Sequence, residues 1–168
     1  MNKNRFLKLS IYFFGLIIFC SFFLISCVEQ PFYEKAYSFE KNTWGQKVKP
    51  TFRVEIKDTT KYYDFILTLR VTTDYSFSNC WIYMNTTTPN KIKAREPFEI
   101  KITNSNGTWI GNKSGTIVEN VLYFKRRKFP EKGVYYFQLE QAVIQEKLEN
   151  VLDIGLRIIE NAKLKIEN

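Results

Sequence analysis

The sequence predicts an all-β domain, a single antiparallel β-sandwich of jelly-roll or Ig-like type, behind an N-terminal export signal. Three observations carry this. Phe, Tyr and Trp make up 17% of the chain, and Thr, Ile and Val are common, a composition suited to pleated, half-buried surfaces. Apolar residues alternate with polar ones in segment after segment, the two-residue period of a strand with one wet face. The segments recur roughly every 8–15 residues, with turn residues between them and no crossover-helix spacing, as in an antiparallel sandwich.

The first element is the signal. The chain opens with Lys3, Arg5 and Lys8 and no acid, then runs apolar from Ile11 to Ile25, the charged and hydrophobic regions of an export signal. The run is shorter than the ~20 residues of a membrane-crossing helix, and polar sequence follows it at once. Leu24-Ile25-Ser26-Cys27 has the form of a lipobox. Leu24, Ile25 and Ser26 would be the signal peptidase recognition residues, and the Cys27 thiol would receive the lipid. At ~0.8 kcal/mol per buried methylene, two or three acyl chains anchor a protein almost permanently.

Residues 1–26 are thus expected to form a lipoprotein signal peptide and 27–36 the lipidated cysteine and tether, with Pro31 stiffening it. Ten residues span at most ~35 Å, so the domain is expected to work close to its membrane. Cys20 leaves with the signal and Cys27 is taken by lipid, so Cys80 has no partner for a disulfide. It reads as a small buried hydrophobe.

Residues 37–161 form the expected sandwich and 162–168 a polar tail. Tyr37, Phe39 and Lys41 alternate first; Phe52, Val54 and Ile56 then share a face against Arg53, Glu55 and Lys57, and Asp58-Thr59-Thr60-Lys61 turns the chain. Tyr63, Phe65, Leu67, Leu69 and Val71 line one side of a long strand. Trp81–Thr86 and Phe98–Thr103 follow, separated by Pro89-Asn90, with Trp81 read as core. Asn106-Gly107 marks a hairpin, because Asn-Gly accepts positive φ with little penalty. Val118–Phe124 is another strand, and Pro130–Gly133 turns into the alternation of residues 134–139. Gln141–Asn150 reads as a short helix or a bent connection. Val151–Glu160 closes the domain with Ile154, Leu156 and Ile158 on one side.

Chemistry is sparse. The chain has no histidine, which removes the usual general base and commonest metal ligand. Cys80 alone cannot build a thiolate zinc site, and neither a Gly-x-Ser-x-Gly elbow nor a phosphate-binding glycine loop occurs. No catalytic residue, metal or cofactor is expected. Without the signal, 22 basic residues face 17 acidic ones, a charge of +5, which suits anionic headgroups or acidic partners and equally a plain solubility role. The basic run Lys125-Arg126-Arg127-Lys128 is the sharpest charge feature. It reads either as a contact for phosphate headgroups or an acidic partner, or as a solvated strand edge. Trp109, in a loop between glycines, reads either as an exposed contact or as a side chain folded back onto the core. Nucleic acid is not an expected partner of an exported, tethered domain.

Taken together, several stretches resemble the gliding-motility lipoprotein family GldH of the Bacteroidetes. They are Phe39 to Trp44; Phe52-x-Val54-x-Ile56-x-Asp58 with Tyr62-Tyr63; Leu69-Arg70 with Tyr75 and Asn79; Gly107-Thr108-Trp109-Ile110-Gly111; Gly133-x-Tyr135-x-Phe137-x-Leu139-x-Gln141; and Leu148 through Val151-x-Asp153-Ile154-Gly155-Leu156-Arg157-Ile158. The sequence departs from the family pattern where an arginine after Gln141 and a glycine before Val151 are expected: Ile144-Gln145 and Asn150 stand there. The resemblance implies a noncatalytic envelope lipoprotein associated with gliding, with relatives that serve type IX secretion. Val28 offers no acidic retention signal, and Val28-Glu29-Gln30 matches an acidic surface-export tract poorly. A lipid anchor at the outer membrane facing the periplasm is therefore expected, with surface display the alternative and unidentified envelope proteins as partners. A glycan-binding lipoprotein using Trp109 is the alternative.

Overall fold

The computed structural model describes residues 31–161. The signal, the lipobox Leu24-Ile25-Ser26-Cys27 and the polar tail lie outside them. Eleven strands are present among the described residues: β1 (Tyr33–Ser38), β2 (Thr43–Gly45), β3 (Thr51–Ile56), β4 (Tyr62–Thr72), β5 (Asn79–Thr87), β6 (Lys93–Lys101), β7 (Asn112–Ser114), β8 (Ile117–Arg127), β9 (Gly133–Gln141), β10 (Lys147–Glu149) and β11 (Val151–Asn161). They form a five-stranded sheet ordered β1-β11-β4-β8-β7, a four-stranded sheet ordered β3-β9-β5-β6 and a small β2-β10 ribbon. Every pairing is antiparallel. The all-β sandwich expected from the sequence is the fold.

Alternation builds the core. Phe65, Leu67 and Leu69 of β4, Ile154, Leu156 and Ile158 of β11, and Phe52, Val54 and Ile56 of β3 are buried, while their sequence neighbours face outward. Aromatic side chains fill one end, where Phe129 packs on Tyr63 (5.2 Å between ring centroids) and Tyr135 (4.6 Å). At the other end Trp44 stacks on Phe39 at 4.9 Å, and its indole N–H donates to the Val48 carbonyl.

Two local expectations change, at the start of β1 and at Trp81, and the open alternative at Gln141–Asn150 resolves to a bent connection. The strand placed at Tyr37–Lys41 is β1, which begins at Tyr33, inside the stretch read as tether. The chain then turns through Lys41 and Asn42, whose φ angles are 54° and 53°. Gln141–Asn150 contains no helix: after Gln141 the chain bends and enters β10. The buried Gln141 amide donates to the Trp44 carbonyl and holds that bend against β2. Trp81, read as core, is 42% exposed on the outer face of β5, because Cys80, Ile82 and Met84 take the inward positions. Asn150, where the family pattern expects glycine, has φ 64°, a left-handed conformation that Asn tolerates better than most residues.

Candidate functional site

The outer face of the five-stranded sheet carries a trough. Ala36 of β1, Gly155 of β11, Thr68 of β4 and Val121 of β8 stand side by side across four strands. Their small side chains make a low floor. One wall is the row Glu34, Arg157, Ile66 and Tyr123; the other is Ser38, Asp153, Arg70 and Glu119. At ~3.4 Å per residue the walls stand roughly 14 Å apart along the strands, and the hollow is about 330 Å³.

A bulge sets the polarity of one wall. The β11–β4 register shifts between Val151 and Asp153, so Leu152 is the extra residue and the pleat changes face. Val151 and Ile154 can therefore both enter the core while Asp153 turns outward, opposite Arg70. Arg70 Nε donates to both carboxylate oxygens of Asp153 (2.9 and 3.0 Å), and Nη2 donates to Oδ2 (2.5 Å). Forked contacts of this kind fix direction as well as charge. The Asp153 hydrogen bonds, together with its charge and that of Glu119, raise the Arg70 pKa above its ordinary value. Across the trough Arg157 donates to Glu34 from Nε at 2.8 Å and approaches it to 2.6 Å from Nη2; both side chains are about half exposed. Such a solvated pair contributes ~0–1 kcal/mol and reorients easily.

The trough therefore presents a pinned guanidinium on one wall, a loosely held one on the other, and Tyr123, 60% exposed, at the rim. Asp153 and Glu34 are each committed to an arginine, and Glu119 stands beside Arg70 in the same wall. The arrangement can recognise polar, planar or anionic groups of an extended partner.

Sequence reasoning placed its candidates elsewhere. Trp109 is half-buried and packs against the core, with its backbone bridged to Thr103, so it is not a flat exposed platform. Lys125–Lys128 is exposed at the far end of β8. There Arg126 adopts φ 56° and donates its N–H to Asp64 Oδ1 at 2.7 Å, with its guanidinium 5.2 Å from the Tyr62 ring. Trp109 and the basic run lie at opposite ends of the sandwich. Cys80 is buried, and burial pushes its thiol up to about 12.

Most residues that carry the family resemblance build core or turns. Phe39, Trp44, Phe52, Val54, Ile56, Tyr135, Phe137 and Leu139 are core. Asp58 caps its own turn through Thr60, and the Tyr63 hydroxyl donates to the Asp58 carbonyl. Gly111 lies so close to β8 that a Cβ there would meet the Glu119 carbonyl oxygen at 2.2 Å. Arg70, Asp153, Gly155 and Arg157 are the group that converges on a surface. A glycine mid-strand between Asp and Arg was the available signal, since such a glycine marks a close approach or an open floor.

Comparison with known proteins agrees. Residues 31–158 match the family described as GldH lipoprotein. Gliding motility lipoprotein GldH of Flavobacterium johnsoniae is 30% identical over 152 residues, covering 86% of this chain and 94% of that protein. The gliding motility lipoprotein GldH homolog of Christiangramia forsetii is 30% identical over 157 residues, covering 88% and 92%. Among solved structures, the C-terminal domain of EclA, a sugar-binding protein, aligns with 82% of this chain and 84% of its own at 12% identity, with a TM-score of 0.31; a likeness that weak carries no argument. By these matches, over nearly the whole of the sandwich, the chain belongs to the GldH lipoprotein family.

Proposed function

We propose that this protein is a noncatalytic, membrane-anchored lipoprotein that acts as an interaction or assembly component of the envelope machinery associated with gliding motility and type IX secretion. Acyl chains on Cys27 hold it to the outer membrane, facing the periplasm, and a partner protein docks across the trough of the five-stranded sheet. One observation supports this above the rest: four residues of the family pattern, Arg70, Asp153, Gly155 and Arg157, gather on one open face of the five-stranded sheet.

The test is crosslinking of the lipidated protein in its own envelope, with partners identified by mass spectrometry. Cys27→Ala reports on the anchor. Thr68→Tyr fills the trough floor from the outer face without touching the core. Gliding or secretion components captured by the native form and lost in Thr68→Tyr support the reading. An unchanged partner set in Thr68→Tyr, with the domain still folded, removes the trough from it.

A second reading, glycan binding, has one observation in its favour. Trp81 and Tyr136, each 42% exposed, lie with Tyr83 on the outer face of the four-stranded sheet, beside Asn85 and Gln138. Arg95 covers the Tyr83 ring at 3.9 Å. Quenching of Trp81 fluorescence by envelope polysaccharide, absent in Trp81→Phe, would favour it over a protein partner.

A further inference from the structure

Where the tether meets the domain decides which end of the sandwich faces the membrane. Cys27 and Phe32 are five residues apart, at most about 18 Å of extended chain. The Phe32 ring lies 5.4 Å from that of Tyr63. Tyr63 pairs in turn with Arg127, and its neighbour Tyr62 carries Arg126 and Lys128 over its ring at 5.2 and 5.9 Å. The chain therefore enters at the end that bears the basic run.

That end is basic well beyond the run. Its connections 57–61, 88–92 and 128–132 hold five lysines against Asp58 and Glu131. They lie together: Asn90 bonds Glu131, and the Pro89 ring sits where a Cβ on Gly133 would reach. Lys61 is paired with Glu160, and Arg127 lies 3.8 Å from Glu96. Among the described residues Lys57, Lys91, Lys125, Arg126, Lys128 and Lys132 make no ion pair. Ile92, 65% exposed, projects from the same end. The connections at the other end, 39–42, 46–50, 73–78, 102–111 and 142–146, balance Lys41, Lys47 and Lys49 against Glu40, Asp74 and Glu146.

We infer that this basic end is a second membrane contact, seated on the anionic phospholipid headgroups of the leaflet that holds the acyl chains. The inference rests on Cys27 being the lipidated residue. A tether this short keeps the cations within one or two Debye lengths of the surface, ~10 Å each at 0.1 M salt, where each cation near an anionic leaflet is attracted. The contact holds the sandwich upright on its bilayer and turns the trough, which runs across the strands, toward a neighbour beside it.

The experiment uses the full lipidated protein in vesicles of phosphatidylcholine alone or with one third phosphatidylglycerol. Ile92→Trp is the reporter, and bromine-labelled acyl chains are the quencher. The native Trp44, Trp81 and Trp109 lie in the other half of the domain. Expected is quenching several-fold stronger on anionic vesicles. It should fall to the phosphatidylcholine level in molar salt and in the Lys125→Glu/Lys128→Glu/Lys132→Glu variant, with thermal unfolding unchanged. Equal quenching on both vesicle types overturns the inference, as does strong quenching that survives the triple reversal. Flotation separates the anchor from the patch, since acylated protein floats with either vesicle. If the purified chain does not float, the Cys27 reading fails; retention on anionic vesicles alone then still supports the patch, and no retention overturns it.

Discussion

Removing Arg70 should destabilise the domain by more than an ordinary surface mutation does. The Asp153 side chain is only 6% exposed, while that of Arg70 is 43% exposed. Truncating one partner of a fully buried pair costs about 3–5 kcal/mol, whereas exposed pairs are worth ~0.2–1 kcal/mol. This pair is asymmetric. Arg70→Ala strands a buried carboxylate that water can reach only through the gap left behind, so we expect a loss of ~2 kcal/mol. Asp153→Ala leaves a guanidinium that can turn into solvent, and about 1 kcal/mol is expected.

The double variant should then lose ~1 kcal/mol less than the two single losses added, because one interaction is removed twice on paper and once in fact. For a domain of this size, Arg70→Ala should lower Tm by roughly 6–8 °C. Arg70→Lys should recover little of it, since an ammonium cannot make the forked contact. The assay is urea unfolding of the lipid-free Cys27→Ala form followed by Trp44 emission, because Trp44 is fully buried. Strict additivity, or an Arg70→Ala loss within ~0.5 kcal/mol of zero, would refute the asymmetric-burial argument.

The remaining predictions use the same assay or a simple variant of it. Gly111→Ala should cost ~3 kcal/mol or more, because its Cβ would overlap the Glu119 backbone oxygen at 2.2 Å and β8 would have to move. Gly155→Ala should be tolerated, as its nearest contact would be 3.5 Å; a loss as large as that of Gly111→Ala would mean that the trough floor is tighter than described. Gly107→Val should lose ~1–2 kcal/mol through backbone strain alone, since φ is 80° and the space around is open; unchanged stability would contradict the turn geometry. For Cys80, the unfolded thiol ionises near 9.0 while the native one holds its proton to about 12. The native state binds the extra proton in between, so stability should be complete below pH 9 and fall as pH rises toward 12, by at most ~1.4 kcal/mol per pH unit. Cys80→Ala should flatten that slope, and an identical slope in the variant would assign it to other groups.

What the sequence made legible follows from how strands are written. Tyr63, Phe65, Leu67, Leu69 and Val71 could be placed on one face from their spacing alone, because burial on one side of a pleat imposes a period of two. Trp81 was misplaced because hydrophobicity says that a residue can be buried, not that it is. With Cys80, Ile82 and Met84 in the strand, parity alone assigns the inward face, and the smaller residues took it. The helix-or-bend ambiguity at Gln141–Asn150 was settled by long-range bonds, among them Gln141 to the Trp44 carbonyl, Ala142 to Trp81 and Gln46 to Glu146, between residues that no local window contains.

The trough was illegible for a different reason. Its walls are drawn from β1, β11, β4 and β8, so Ser38, Asp153, Arg70 and Glu119 become neighbours only through sheet order, and a bulge at Leu152 decides which face Asp153 takes. A sequence can show that Arg70 and Asp153 are each unusual among apolar neighbours. Only the register makes them partners, and only Gly155 beside them turns a charged sheet face into a hollow that another chain could enter. This places the informative mutations on outward residues of long strands rather than on the conspicuous tryptophan and lysine runs, and Thr68→Tyr separates the two classes because it changes the hollow while leaving every charge in place.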